Sequence, residues 1–256
     1  MKKIVFFDID GTLLDQEKKL PRSTKKAIQL LKENGVFVAI ATGRAPFMFT
    51  SLKKELDIDS FVSFNGQYVV FENEAIYKNP LKQSELERFL LDTKTNEHPL
   101  IFMNELTMKA TTHYHPYIET SMGSLLFPHP DEDKSFFVDN EIYQSLLFCK
   151  ENEEKFYFEN FSEFDFIRWH PYSVDILPKG GSKAEGIKKM IDRLGFDLKD
   201  VYAFGDGLND LEMLKAVGTG VAMGNGVHEA KALANLVTTD VSDDGIWNGL
   251  KELQLI

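Results

Sequence analysis

This 256-residue chain has a single cysteine, Cys149, so no disulfide can form within it, and a reducing, cytoplasmic setting is expected. It has no basic excess: 29 Lys and Arg stand against 40 Asp and Glu, a net charge of −11. So acidic a chain lacks the positive footprint that neutralises nucleic-acid phosphates, and no nucleic-acid partner is expected. A small anion in a locally positive pocket remains compatible with it. No uncharged apolar stretch approaches the about 20 residues that a membrane helix needs, so no membrane partner is expected either. Met1-Lys2-Lys3-Ile4 imitates the charged start of a signal peptide, but Asp8, Asp10 and Asp15 interrupt any apolar region behind it. Repeats and low-complexity segments are also missing. What remains, 43% hydrophobic and 27% charged, is ordinary globular composition with length for one large domain or two modest ones.

Short apolar runs punctuate both ends of the chain. Ile4–Phe7 is one, rich in β-branched and aromatic residues and therefore read as a buried strand. It stops at Asp8-Ile9-Asp10-Gly11-Thr12. Residues 23–34 carry a helical stripe (Ala27, Ile28, Leu30, Leu31) closed by Asn34-Gly35. Val36–Ala41 is a second strand, stopped at Thr42-Gly43-Arg44, with a helix expected to run through Leu56. Phe61–Phe64 is a third, stopped at Asn65-Gly66, and 67–80 reads as a hairpin. After Pro178 the same texture returns. Lys183–Leu194 is an amphipathic helix, and Val201–Phe204 is a strand stopped at Gly205-Asp206-Gly207-Leu208-Asn209-Asp210. Short helices at 211–216 and 228–234 flank a strand at 220–223, and 236–238 is a last strand. Alternation of this kind implies parallel, right-handed βαβ units. Between about 81 and 178 the pattern differs. Helices are expected at 84–95 and 131–140, and strands at 100–105, 145–150, 156–161 and 164–170. Loops are expected at 98–100 and 127–130.

The polar residues cluster where strands end. Asp8 and Asp10, Thr42 and Gly43, Asn65, and Asp206, Asn209 and Asp210 would lie along one edge of a parallel sheet, where such sheets bind ligands. Lys183 opens the helix before the fourth of these strands. Carboxylates held that close repel, and a cation is the natural way to keep them together. Mg²⁺ suits one or two carboxylates plus water and a substrate phosphate. The hydroxyl, amide and ammonium donors suit a phosphoryl group, whose transfer depends on positioning and charge stabilisation.

Four motifs in this order, Asp8-Ile9-Asp10-Gly11-Thr12, Thr42-Gly43-Arg44, Lys183 and Gly205–Asp210, resemble the haloacid dehalogenase superfamily of phosphohydrolases. The similarity covers essentially the full chain and is close to the Cof-like branch, with Gly218–Gly226 and Asp244-Gly245 also in its style. The resemblance implies an α/β fold: a doubly wound parallel-sheet (Rossmann-like) core, residues 1–80 plus 179–256, with an inserted α+β cap of type 2, residues 81–178. It implies a Mg²⁺-dependent phosphatase of a small phosphorylated substrate, a sugar phosphate or phosphorylated cofactor, acting as a monomer or homodimer. Asp8 would be the nucleophile forming an aspartyl-phosphate, and Asp10 the acid and then the base. Asp8, the Asp10 carbonyl and Asp206 would hold Mg²⁺, with Asp210 orienting them from behind. Ile9, Thr42, Gly43, Lys183 and Asn209 would bind phosphate, and Arg44 and Asn65 are possible substrate contacts. The cap would close over the phosphate and supply specificity.

Blander readings stand beside these. Asp-Gly pairs form turns, Thr42 ends a strand, Asn209 and Asp210 cap a helix, and Asn65-Gly66 is a good turn dipeptide. His113, His115 and His129 fit no compact zinc pattern. Phe136, Phe137, Tyr157 and Trp169 read as core of the inserted region. Related folds leave a phosphosugar mutase, a trehalose-phosphate phosphatase and a non-catalytic phospho-ligand sensor as alternatives.

Overall fold

The structure is a computed structural model that describes residues 2–256. The first part of the chain forms β1 (Ile4–Phe7), α1 (Arg22–Glu33), β2 (Phe37–Ala41), α2 (Thr50–Leu56), β3 (Phe61–Ser63), β4 (Tyr68–Phe71) and β5 (Glu74–Lys78). The middle forms α3 (Gln83–Thr95), β6 (Leu100–Met103), β7 (Met108–Ala110), α4 (Pro116–Ser124), α5 (Phe136–Asp139), β8 (Gln144–Leu147), α6 (Lys155–Asn160), β9 (Phe164–His170) and β10 (Ser173–Pro178). The last part forms α7 (Lys183–Leu194), β11 (Val201–Gly205), α8 (Leu211–Ala216), β12 (Thr219–Ala222), α9 (His228–Leu233), β13 (Leu236–Val237) and α10 (Gly245–Glu252). These elements divide into two compact units. One takes the chain up to Arg44, Met48–Tyr77 and Ser182–Ile256; the other takes Lys78–Gly181 and the tripeptide Ala45–Phe47.

The first unit is built on one sheet in the order β13-β12-β11-β1-β2-β3-β4-β5. All its pairs from β13 to β3 are parallel, and β4 turns back antiparallel on β3. Every side chain of β1 is fully buried, as expected of a strand covered on both faces. Burying each such Ile, Val or Phe contributes roughly 1.5–3 kcal/mol. Helix α1 turns Ala27, Ile28 and Leu31 inward at helical spacing. Helix α7 starts at Ser182, whose hydroxyl accepts from the Glu185 N–H at 3.3 Å, and stops at Gly195 in the left-handed region. Its start is seated on Gly66, whose φ is 100°: a Cβ there would fall 2.0 Å from the Ser182 carbonyl oxygen. The chain winds outward from β1 in one direction through β2 and β3, and in the other through β11 and β12. Strand order therefore reverses at β1, the position where doubly wound sheets bind ligands.

The second unit is a five-stranded antiparallel sheet in the order β7-β6-β8-β10-β9. Helices α3, α5 and α6 supply the core of one face, with Phe89 ringed by Tyr157, Phe161 and Phe164 at centroid distances of 5.3, 4.9 and 5.5 Å. Here the sequence expectations fail in part. Residues 156–161 form α6, not a strand. Aromatic enrichment suggests β structure, but Tyr157 and Phe161 are buried at a spacing of four while Phe156 and Phe158 are exposed. A strand would also have turned the exposed Glu159 onto the buried face with them. The helix expected at 131–140 shrinks to α5, because the Asp133 carboxylate accepts from the Ser135 N–H (3.0 Å) and hydroxyl (2.9 Å) and holds a turn. Of the aromatic residues expected in the core, Phe136, Phe137 and Tyr157 are buried and Trp169 is half-buried. Strands β7 and β10 and helices α4 and α10 have no counterpart in the sequence reading.

Candidate active site

Asp8 leaves the end of β1 and is 6% exposed. Its Oδ1 accepts from Lys183 Nζ at 2.6 Å, and the same ammonium donates to Asp210 Oδ1 at 2.7 Å. Lys183 stands in the first turn of α7, and Asp210 ends the short turn after β11. The other oxygen of Asp210 accepts from the main-chain N–H groups of Asp206 and Gly207, both at 2.9 Å. Both Asp210 oxygens are thus engaged, and its task is to fix the Lys183 ammonium and the 206–207 turn. Asp206 Oδ1 accepts from the Thr12 hydroxyl at 2.9 Å. Gly11, at φ 77°, passes so close that a Cβ would lie 2.2 Å from Asp206 Oδ2. Asn225 donates to the Gly11 carbonyl (2.8 Å) and accepts from the Val241 N–H (2.9 Å), strapping this turn to the far end of the chain.

One ammonium cannot balance three carboxylates. Ligand oxygens of Asp8, Asp206 and Asp210 lie within 4.8 Å of one another. Burial pushes the Asp8 carboxyl up to about 8, against the pull of Lys183 and with the repulsion of Asp210. Burial, then Asp210, pushes Asp206 up to about 6 despite the Thr12 hydrogen bond. Burial alone would lower Lys183, but Asp210 and Asp8 outweigh it and hold the ammonium above its ordinary range. The cluster is short of positive charge, and its donors are hard oxygens. That chemistry fits a small divalent cation held by Asp8 and Asp206.

Asp10 behaves differently. Burial would raise its pKa, but Arg44 and then Lys18 outweigh that and hold the carboxyl below its ordinary range. Arg44 grips it with two prongs, Nε to Oδ2 at 2.8 Å and Nη2 to Oδ1 at 2.6 Å, and Lys18 Nζ adds a third contact at 2.6 Å. Lys18 is carried there by a turn in which Asp15 Oδ1 accepts from the Glu17 and Lys19 N–H groups.

Thr42 is buried at the end of β2, its hydroxyl accepting from the Arg44 N–H at 3.1 Å. The Ile9 and Gly43 N–H groups donate to no group among the described residues. Asn65 is buried at φ 51°, its amide 3.0 Å from where a Gly43 Cβ would stand and its Oδ1 without a partner. The structure brings Asp8, Asp206, Asp210 and Lys183 into one group and Asp10 and Arg44 into another. Asn209 is exposed on its turn, outside both networks. Sequence reasoning missed Lys18 and Asn225. The Asp15 turn was a local signal for the first; for the second, a lone Asn between glycines carries none.

A buried carboxylate–ammonium cluster at the switch point of a doubly wound sheet has the chemistry to take a divalent cation and a phosphoryl group. A family model described as haloacid dehalogenase-like hydrolase matches residues 5–250, and the chain belongs to that family. It is a phosphoric monoester hydrolase of the Cof-like branch, with the family's α/β fold. YkrA of Bacillus subtilis, a protein named as a phosphatase, is 53% identical over 99% of this chain and 98% of its own. A solved structure from Geobacillus kaustophilus is 58% identical, each chain covered in full, with a TM-score of 0.97. That of the subclass IIB sugar phosphatase BT4131 is 30% identical, also with full coverage of both, with a TM-score of 0.86.

Proposed function

We propose that this enzyme is a Mg²⁺-dependent phosphatase that hydrolyses a small phosphorylated metabolite through an aspartyl-phosphate on Asp8. The single supporting observation is the shared ammonium: Lys183 fixes one Asp8 oxygen at 2.6 Å and leaves the other for attack. In the first step an Asp8 oxygen forms a bond to phosphorus as the bond to the leaving oxygen breaks, and Asp10 gives that oxygen a proton. In the second, Asp10 takes a proton from water as the water oxygen displaces Asp8 from phosphorus. Asp10 must therefore exchange its hold on Arg44 and Lys18 for a proton before it serves as acid. Thr42, Lys183 and the Ile9 and Gly43 amides would bind the phosphate oxygens. Asp8, the Asp10 carbonyl and Asp206 would hold Mg²⁺, which would offset carboxylate and phosphate charge. Cys149, the sole cysteine and buried, suits a cytoplasmic setting.

The test is phosphate release from an aryl phosphate in Mg²⁺ buffer. Asp8→Asn should reduce turnover by at least about a thousandfold with melting behaviour retained. Full activity in that variant rules the reading out.

A further inference from the structure

Strands β1 and β11 pair as far as Phe7 and Phe204, and the Asp8 N–H still donates to the Phe204 carbonyl at 3.0 Å. Past that point the two chains part: Asp10, Gly11 and Thr12 lie on one loop and Asp206 on the other. Residues 223–227 bracket both loops. Their main chain faces the β11 loop, with the Met223 N–H donating to the Gly205 carbonyl at 3.0 Å and the Val227 N–H to the Asp206 carbonyl at 2.9 Å. Gly226 packs so tightly there that a Cβ would lie 3.1 Å from the Asp206 Cα. From behind, the bracket is fixed by 239–241: the Gly224 N–H donates to the Thr239 carbonyl at 2.9 Å, and the Val241 N–H to Asn225 Oδ1 at 2.9 Å. The reach across to the β1 loop is a side chain, Asn225 Nδ2 donating to the Gly11 carbonyl at 2.8 Å. Thr12 also ties the loops, but its bond ends on the Asp206 carboxylate itself. The Asn225 bond ends on main chain, so it holds whatever that carboxylate does.

We propose that Asn225 is a positioning residue for the cation: it fixes the loop of Asp8 and Asp10 against the loop of Asp206, and so sets how tightly Mg²⁺ is held. The inference rests on the Mg²⁺ reading above and adds a residue that touches neither the ion nor the substrate. Three carboxylates whose ligand oxygens lie within 4.8 Å of one another repel, and that repulsion pushes the two loops apart. The Asn225 strap opposes it, keeping the oxygens gathered before the ion arrives. Mg²⁺ tolerates little misplacement, because it demands near-ideal octahedral geometry at about 2.1 Å. The residue type suits the task. Asn is the shortest side chain with a donor and an acceptor on separate atoms, one for Gly11 and one for Val241. A comparable strap stands elsewhere in the same unit: Asn34 Nδ2 donates to the Leu255 carbonyl at 2.9 Å and also joins distant parts of the chain. It touches no carboxylate of the cluster, so its loss reports what a plain tether is worth.

The experiment titrates Mg²⁺ into chelator-treated, full-length wild type, Asn225→Leu and Asn34→Leu. Melting is one readout, since the Mg²⁺ concentration at which Tm starts to climb marks the dissociation constant. Phosphate release from phenyl phosphate is the other. Asn225→Leu should need at least about tenfold more Mg²⁺ in both, the scale of losing a group that orients metal ligands. Its kcat at saturating Mg²⁺ should stay close to that of wild type. Asn34→Leu should lower Tm and leave the Mg²⁺ requirement unchanged. An Asn225→Leu protein that needs no more Mg²⁺ than wild type overturns the proposal, as does an Asn34→Leu protein that needs as much as Asn225→Leu. If Mg²⁺ neither stabilises nor activates wild type, the metal reading fails and takes this inference with it. If Mg²⁺ stabilises wild type but no ester is cleaved, the phosphatase reading fails and the melting series decides alone. Should Asn225→Leu not fold, Asn225→Ser, with one hydroxyl in place of the two amide ends, is read in the same way.

Discussion

Asp8 and Asp175 are both buried aspartates pushed up to about 8, and they arrive there by opposite routes. Around Asp8 strong forces nearly cancel: burial and Asp210 favour the proton, Lys183 opposes it. Around Asp175 there is no cation and no second carboxylate, only burial against an amide and an indole. The first is a charged cluster short of positive charge; the second is a lone buried acid among neutral polar groups. The same displaced pKa therefore marks two different chemistries, and the neighbours rather than the value tell them apart.

The largest effect that tests this contrast, after loss of turnover in Asp8→Asn, is on stability. Lys183→Met would strip the only cation from two buried carboxylates and should cost roughly 3–5 kcal/mol at neutral pH in denaturant unfolding. The loss should shrink in acid, where protons replace the ammonium. Next comes the pH dependence of melting. Each of the two aspartates binds its proton more tightly folded than unfolded, so between 3.8 and about 8 the folded state holds more protons and stability falls as pH rises. Mg²⁺ at pH 8 should restore the share owed to Asp8 and Asp206 and leave the share owed to Asp175. Asp175→Asn should flatten the slope with or without Mg²⁺. If Mg²⁺ removed the whole slope, the contrast would fail. The smallest effect is at Lys18, about a third exposed. Lys18→Ala removes one of the cations that lower Asp10, so the limb of the pH–rate profile governed by Asp10 should move slightly upward.

The two units also differ in how much of them the sequence discloses. In the first, β1, β2 and β11 are short apolar runs that stop at candidate site residues, so Asp8, Thr42 and Asp206 could be read from punctuation alone. Lys183 and Asp210 needed their order along the chain as well. Lys18 escaped because its role depends on a turn folding back on Asp10, and Asn225 because its two partners are distant in sequence. In the second unit aromatic residues dominate helices and strands alike, and α6 was misread for that reason. Asp175 was invisible: one acid in a strand says nothing until cross-strand register reveals what lies beside it.

The contact between Gly66 and the Ser182 carbonyl bears on how such an enzyme diversifies. The helix that delivers Lys183 is docked by backbone from its own unit, directly where the intervening stretch ends. Residues 78–181 can be rewritten, lengthened or exchanged while that berth stays put. Change confined to that stretch then need not disturb the seat of the lysine.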